Sequence, residues 1–402
     1  MRILIAAHAL VIKEYQKFID YIVQEKNDVL LITPAKYKES GKDVCVDYNI
    51  SNYKHIAVDT ILGKEGKQHL FFYLLNKYVK DEIKKFNPEI LYLYEEPCST
   101  VTRQFIRAIK KLVRNIKIVL WTSDNVNRNY IKEKGWFDPR GYWFTLNQRY
   151  SYLNSDGIIA TTRDSLSVLR EKKYPKKIFL SSTHFINSEI FFSHSSLQGI
   201  KNEKEKNIFY LGYIGRFVKY KNIEVVIKAM NVVAEKIDNI KLILIGEGPE
   251  KENYISLVNE YSLENKIEIT PFVKYNKIPE ILNSFSLFIL PSSDYNGVSE
   301  KFGRVVIEAM SCGVPVIVSD QGYLPVLAEN AGTVFKADDH NELALKIIEL
   351  YNNKSLREEM ALKGMKKVNT LYSAEKTAER FIKIFKILLE NHNEKEFHLG
   401  PF

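Results

Sequence analysis

The sequence predicts an α/β protein of two doubly wound, Rossmann-like domains, and three observations carry that expectation. The first is alternation: short apolar runs of strand length are followed by helices with apolar residues at three- and four-residue spacing, in two rounds. The second is the break between the rounds, a Ser-, Lys- and Glu-rich stretch from about Phe192 to Asn207 that reads as a linker. The third is size, since a chain of 402 residues exceeds one ordinary core. The expected division is a first domain over 1–191, a linker over 192–207, a second domain over 208–372, and a closing helix with its tail over 373–402.

In the first half, Arg2 to Ala7 reads as a buried parallel strand, followed by a loop at His8 and a helix through Phe18, Ile19, Ile22 and Val23. The apolar start resembles a short signal sequence, but His8 interrupts it and no small-residue cleavage site follows. Val29 to Thr33 is the next strand, and the polar stretch after Pro34 holds one more at His55 to Asp59. Gln68 to Phe86 has helical spacing in Leu70, Phe71, Leu74, Leu75, Tyr78 and Ile83, until Asn87-Pro88 stops it. Glu89 to Tyr94 delivers Glu95-Glu96-Pro97, and Ser99 or Thr100 caps a helix to Arg114. Lys117 to Trp121 then delivers Thr122-Ser123-Asp124-Asn125, Asp156 to Thr161 follows, and Ile178 to Ser181 closes the sheet. Loops after successive parallel strands open on one edge, so His8, Glu95, Glu96 and Asn125 are expected to share a cleft.

The second round begins with Ile208 to Ile214, the loop Gly215 to Asn222 and a helix from Ile223 to Ile237, with Asn222 able to cap it. Lys241 to Ile245 is a strand, and Gly246-Glu247-Gly248-Pro249 turns into a helix, a Gly-x-Gly too short for a dinucleotide fingerprint. Ile267 to Ile269 leads to Pro271-Phe272-Val273. After Gly332 to Phe335 two helices run to about Leu371, a last amphipathic helix carries Phe381, Ile384, Phe385 and Leu388, and the charged tail from His392 is expected to be loose.

Most of the chemistry lies between Ser292 and Val318. A buried strand, Ser286 to Leu290, ends there, and a helix opens near Gly303 that Gly313 stops in a left-handed cap before Pro315 and a further strand. Such a crossover unit points its helix start at the crevice beyond the strand ends, where backbone amides around Gly303 and Arg304 make an anion site. Glu300 precedes that site and Glu308 follows it, on a face otherwise built from Val305, Val306, Ala309 and Met310. A carboxylate on either side of a phosphate cradle suits a sugar nucleotide, because each accepts hydrogen bonds from paired hydroxyls, one set on a ribose and one on a hexose. Taken alone, the two residues also read as a solvated loop glutamate and a helix-surface charge.

Glu300-x-Phe302-Gly303, Glu308-Ala309-Met310 and Gly313-x-Pro315-Val316 together resemble the signature of the retaining glycosyltransferases of family 4, which have the GT-B fold. The resemblance implies two Rossmann-like domains with the interdomain cleft as active site, and a last helix that crosses back to the first domain. It also implies transfer of a hexose from a nucleotide-diphosphate sugar to a hydroxyl acceptor with retained anomeric configuration, in glycan or glycolipid assembly. On the donor side it assigns the diphosphate to Gly215, Arg216 and Lys221, the base to the loop at Phe272 and Val273, and the rest of the donor to Glu300, Phe302, Gly303, Arg304 and Glu308. Two cations beside the departing phosphate neutralise the charge that grows as the glycosidic bond breaks.

His8-Ala9-Leu10-Val11, Glu95-Glu96-Pro97 and Asn125 resemble the acceptor-side motifs of one branch of that family. The resemblance therefore implies an acceptor site of His8, Glu95, Glu96 and Asn125, and a catalytic set of Glu300, Arg216, Lys221 and His8. His8 positions the acceptor or acts as base on this reading; the alternative is a loop histidine satisfied by its neighbours. Departures are the missing glycine pair after the first strand, Asn222 in place of a glycine, and Val326 where relatives carry Glu. No Asp-x-Asp is present, so no metal or other cofactor is expected and Arg216, Lys221 and helix amides take the place of a metal clamp. Two rivals remain open: an epimerase or hydrolase of sugar nucleotides, and a non-catalytic sugar-nucleotide-binding subunit.

Composition bounds the partners. The apolar content of 45% and charged content of 27% describe a globular protein, and no apolar run approaches the roughly 18 residues of a membrane span. Cys45, Cys98 and Cys312 are far apart without metal spacing, which points to a reducing, cytoplasmic setting. A net charge of +9 comes without a nucleic-acid module. The clusters Lys77, Lys80, Lys84, Lys85 and Lys110, Lys111, Arg114, Lys117 read as solvated helix faces or as a surface for anionic headgroups at the inner face of a membrane, with a lipid-linked acceptor.

Overall fold

The computed structural model describes residues 1–39, 42–45, 52–61, 69–193, 208–390, 392 and 394–400. Most of the expected linker, residues 194–207, lies outside them, as does the side chain of Cys45. The chain divides into unit 1, Met1–Phe185 with Ala374–Phe402, and unit 2, Ile186–Ser373.

Unit 1 opens with strand β1 (Arg2–Ala6), helix α1 (Lys17–Gln24) and strand β2 (Asp28–Pro34). A short hairpin of β3 (Lys36–Glu39) and β4 (Lys42–Cys45) precedes β5 (Lys54–Val58), and a second antiparallel pair joins β6 (Thr60–Ile61) to β7 (Phe72–Tyr73). Then come α2 (Lys77–Phe86), β8 (Ile90–Leu93), α3 (Thr100–Leu112) and β9 (Lys117–Thr122). The round continues with α4 (Tyr130–Lys134), α5 (Pro139–Leu153), β10 (Gly157–Ala160), α6 (Arg163–Glu171) and β11 (Lys177–Leu180).

Unit 2 runs β12 (Phe209–Ile214), α7 (Ile223–Ala234), β13 (Ile240–Ile245), α8 (Lys251–Glu260), β14 (Ile267–Thr270), α9 (Ile278–Ser284) and β15 (Leu287–Leu290). It continues through α10 (Arg304–Ser311), β16 (Val316–Ser319), α11 (Leu324–Ala328), β17 (Thr333–Phe335), α12 (His340–Asn352) and α13 (Lys354–Leu371). Helix α14 (Ala374–Leu389) and strand β18 (Glu396–His398) belong to unit 1.

Both large sheets are parallel. The first has the order β18-β11-β10-β9-β8-β1-β2-β5 and the second β14-β13-β12-β15-β16-β17. Alternate side chains of each strand go to opposite faces, so Leu4 and Ala6 pack with Phe105, Ile106 and Leu169 from α3 and α6, whereas Ile3 and Ile5 pack with Phe18 and Ile19 of α1 and Phe381, Ile384 and Phe385 of α14. The last helix thus completes the core of unit 1, as the family resemblance implies.

Four expectations change. The segment before Asn87 is not one helix, because Phe71 and Tyr73 are both 1% exposed at a strand's two-residue period while Leu74 and Tyr78 face solvent. The side chain of Gln104 pairs with both backbone groups of Tyr73, and Asn76 caps α2 by accepting from the Val79 amide. The tail is not loose at 396–398, and β11 does not close the sheet, since β18 adds beside it with Phe397 stacked on Phe179 at 5.2 Å between ring centroids. Asn222 occupies the N-cap position of α7 in a left-handed conformation, but its side chain donates to Asp338 at 2.7 Å instead of capping.

Candidate functional site

The strand orders locate the places where ligands bind in such sheets. In unit 1 the chain leaves β1 in one direction through β2 to β5, then returns to β8 on the other side of β1. In unit 2 it leaves β12 through β13 to β14 and returns to β15. At each reversal neighbouring loops diverge and open a crevice at the strand carboxyl ends. The loops at the first reversal carry His8 and Glu95, and those at the second carry Arg216, Lys221 and Glu300.

In unit 2 the two loops are joined by charge. Lys221 Nζ bonds Glu300 Oε2, and each side chain is only 12% exposed. Ser292 Oγ donates to the same oxygen at 3.4 Å, and the Phe302 amide donates to the carboxylate. Burial by itself would raise the Glu300 carboxyl; the Lys221 ammonium and these donors outweigh it and hold the group below the usual carboxylate range. Gly322, at φ +55°, permits the next loop to reach this point, since a Cβ there would lie 2.3 Å from the Glu300 carbonyl oxygen.

Glu308 is not a surface charge. It is 4% exposed, with Tyr275 Oη donating to Oε1 at 3.0 Å and Arg304 Nε 3.1 Å from the same oxygen. Arg304 also donates to the Tyr275 hydroxyl at 2.8 Å, so three side chains form a closed set. Burial dominates here and pushes the Glu308 carboxyl up, against the opposing pull of Arg304 and Tyr275. Between the two carboxylates, Gly303 is the N-cap of α10 at φ +87° and provides no side-chain cap of its own. A Cβ at Gly303 would meet Leu324 Cδ2 at 2.5 Å, which together with the positive φ accounts for glycine there.

The other donor-side candidates divide by exposure. Arg216 is exposed and donates to the Tyr220 hydroxyl at 2.8 Å. Gly215, Phe272 and Val273 are half-buried in the loops after β12 and β14. The ring of Phe302 is stacked on Tyr323 at 5.3 Å and set edge-on to Tyr372, so its side chain belongs to the core and its backbone to the Glu300 loop. Tyr275 was missed from sequence; it sits one short loop beyond Val273, and only the fold brings it to a residue 33 positions away.

In unit 1 the His8 ring and Glu95 are in direct contact. His8 Nδ1 lies 2.7 Å from Glu95 Oε1, and the His8 amide donates to the same oxygen at 2.8 Å. Glu95 is 3% exposed, and Tyr37 and Phe71 flank the imidazole. Glu96 turns instead to the loop after β9, accepting from the Thr122 hydroxyl at 2.8 Å and the Ser123 amide at 3.0 Å. Asn125 follows in that loop, half-buried. Sheet order places all four at the carboxyl ends of the adjacent strands β1, β8 and β9.

Two carboxylates and a lysine thus lie around the start of α10, whose N-cap is a glycine. Residues 197–367 match the family model of glycosyl transferases group 1. That stretch lies within unit 2 and contains every donor-side residue named above. N-acetyl-alpha-D-glucosaminyl L-malate synthase of Bacillus anthracis is 26% identical over 254 residues, 61% of this chain and 64% of that protein. The capsular polysaccharide biosynthesis glycosyltransferase CapM of Staphylococcus aureus is 30% identical over 190 residues, 46% of this chain and 48% of its own length. The chain thus spans about half to just under two thirds of these two relatives. The structure of HepE from Anabaena in complex with UDP and glucose superposes with a TM-score of 0.64 at 16% identity, covering 96% of this chain and 99% of that one. The fold is that of the GT-B glycosyltransferases, two parallel-sheet α/β Rossmann-like domains.

Proposed function

We propose that this chain is a retaining glycosyltransferase that moves a hexose from a nucleotide-diphosphate sugar to a hydroxyl acceptor in glycan assembly. The observation that carries the reading is the unit 2 reversal, where the buried Lys221–Glu300 pair and the buried Glu308 set flank the open start of α10. The donor diphosphate lies on the α10 amides, with Arg216 and Lys221 neutralising the charge that develops on it. Glu300, held ionised, accepts hydrogen bonds from the hexose hydroxyls. Glu308, fixed by Tyr275 and Arg304, accepts from the ribose, and the loop at Phe272 and Val273 lies against the base. No residue is assigned as a covalent nucleophile: an oxygen of the departing phosphate takes the acceptor proton on the face where the new bond forms. The acceptor belongs to the His8–Glu95 end of β1 and β8, where His8 positions it.

UDP-sugars are the first donors to test, because HepE was solved with UDP and glucose and the Bacillus anthracis relative is named an N-acetyl-alpha-D-glucosaminyl L-malate synthase. In thermal denaturation, a nucleotide sugar at a hundred times its dissociation constant adds about 2.7 kcal/mol of stability. Incubation of that sugar, labelled, with hydroxyl acceptors should then yield a product with the donor's anomeric configuration. Stabilisation with only free sugar released marks a hydrolase, interconversion of sugars marks an epimerase, and stabilisation without turnover marks a binding subunit. Any of these three outcomes refutes the transferase reading.

A further inference from the structure

A cavity of about 780 Å³ in unit 1 has no part in the proposed transfer. It lies between β7, α2, α3 and α5, and His8 is not among the described residues that line it. Its apolar wall is made by Leu74, Leu75 and Trp143. Its polar wall is basic, with Arg103, Arg107 and Lys111 on successive turns of α3, at four-residue spacing, and Lys80 of α2 beside them. No carboxylate is among the described residues that line it. Lys80, Arg107 and Lys111 are exposed and make no ion pair with the described residues, whereas Arg103 is held in place, donating to Asn147 at 3.1 Å and lying over the Trp143 ring at 5.0 Å.

The surface beside the cavity is unusual for a globular protein. On α5 the outward stripe reads Tyr142, Leu146, Arg149 and Leu153, at spacings of four, three and four, and all four are exposed. Just before it, Trp136 is 69% exposed and Phe137 fully so. Clustered exposed aromatic and aliphatic side chains on a monomer's surface mark a place where it meets another phase or molecule. Lys132 and Lys134 precede them and Arg149 lies among them, all three exposed. Exposed apolar side chains accompanied by cations along one stretch of chain match a bilayer interface, where rings sit at headgroup depth and cations meet phosphates.

We propose that the cavity binds the headgroup phosphate and first acyl carbons of an anionic membrane lipid, and that the outer face of α5 with Trp136 and Phe137 is the surface that meets the bilayer. Charge selects the occupant: a wall with four cations and no carboxylate attracts a phosphate, and an adjoining apolar wall of this extent accepts a chain that a free phosphate lacks. The inference stands on unit 1 alone and does not depend on the donor reading.

The test uses the full chain and vesicles of phosphatidylcholine, alone or mixed with phosphatidylglycerol. The chain should sediment with the mixed vesicles only, and its partition coefficient should fall at least tenfold between low and physiological salt. Brominated lipids in the mixed vesicles should quench its tryptophan emission. Arg107→Glu with Lys111→Glu, and separately Trp136→Ser with Phe137→Ser, should each reduce partition at least tenfold. Those side chains are exposed, so melting temperature and nucleotide affinity should be unchanged; Arg107→Gln with Lys111→Gln repeats the test should the double reversal lower the melting temperature. Equal binding to neutral vesicles, no binding at low salt, or binding indifferent to these pairs overturns the proposal. So does a dimer in solution that the Trp136 and Phe137 changes dissociate, because that face would then be a contact between copies.

Discussion

Replacing Lys221 by Met tests whether the two loops of the unit 2 reversal are held by a buried charge pair. Both partners are 12% exposed, so Glu300 would keep its charge in a poorly solvated place with Ser292 Oγ and the Phe302 amide as its donors among the described residues. Removing one member of a buried pair costs about 3–5 kcal/mol, and the two remaining donors place the expectation at about 3 kcal/mol. Direction with pH follows from the Glu300 carboxyl. In the parent it is held low, so its stabilising contribution is present above the ordinary carboxylate range and is lost only as pH falls through the depressed folded value. In the variant, burial acts without the ammonium and raises the group, so the penalty is full at neutral pH and shrinks as acid protonates the buried carboxyl. Urea unfolding, followed on the transition of unit 2 at about pH 7 and about pH 5, measures both quantities. A second substitution, Glu300→Gln, should recover part of the loss because no uncompensated charge remains. A penalty below about 1 kcal/mol, the scale of an exposed pair, or one that does not shrink in acid, would refute the argument.

Arg216→Ala should leave stability within about 0.5 kcal/mol, because the side chain is exposed. It should nonetheless lower kcat/KM roughly a hundredfold, about 3 kcal/mol of transition-state stabilisation; turnover within about threefold of the parent removes it from the site. Glu308→Gln should weaken UDP binding. In the parent, affinity should also fall as pH drops toward the raised Glu308 value, since protonation removes an acceptor of the ribose hydroxyls, and the Gln variant should lose that dependence. Calorimetric titrations at several pH values decide it, parallel pH profiles being the adverse result. Gly303→Ala should destabilise by about 2 kcal/mol from its left-handed φ and its contact with Leu324, and an unchanged melting temperature would show that the α10 start tolerates a Cβ.

The linear chain already contained the class of fold and the residues that meet at the unit 2 reversal. Buried strands such as Ile3 to Ala6 and Leu287 to Leu290 are short apolar runs bounded by turn residues, and helices such as α14 carry their apolar stripe at fixed spacing. Such periodicity is local, so it survives in one dimension. The same holds for Gly303 and Gly313, whose positive φ is a property of one residue each. Where local signals competed, the tertiary structure decided. Phe71 and Tyr73 fit a helix as well as a strand by composition, and the choice was made by Gln104, 31 residues away, which pairs with both backbone groups of Tyr73. Strand β18 is three residues long in a charged tail and exists because the edge of β11 offers unpaired backbone groups and Phe179 offers a ring to stack on.

The charge states of the site were likewise unreadable from sequence. Two glutamates eight positions apart have opposite shifts: Glu300 meets an ammonium from a loop 79 residues away, whereas burial prevails at Glu308 despite Arg304 four residues earlier and a phenol from 33 residues away. Which of them is joined to Lys221 depends on where the chain reverses across its sheet. The sequence by itself determined the elements whose apolar pattern is local and the residue types at their ends. Only the tertiary structure decided which of those ends meet, because desolvation and charge pairing depend on distance in space and not along the chain.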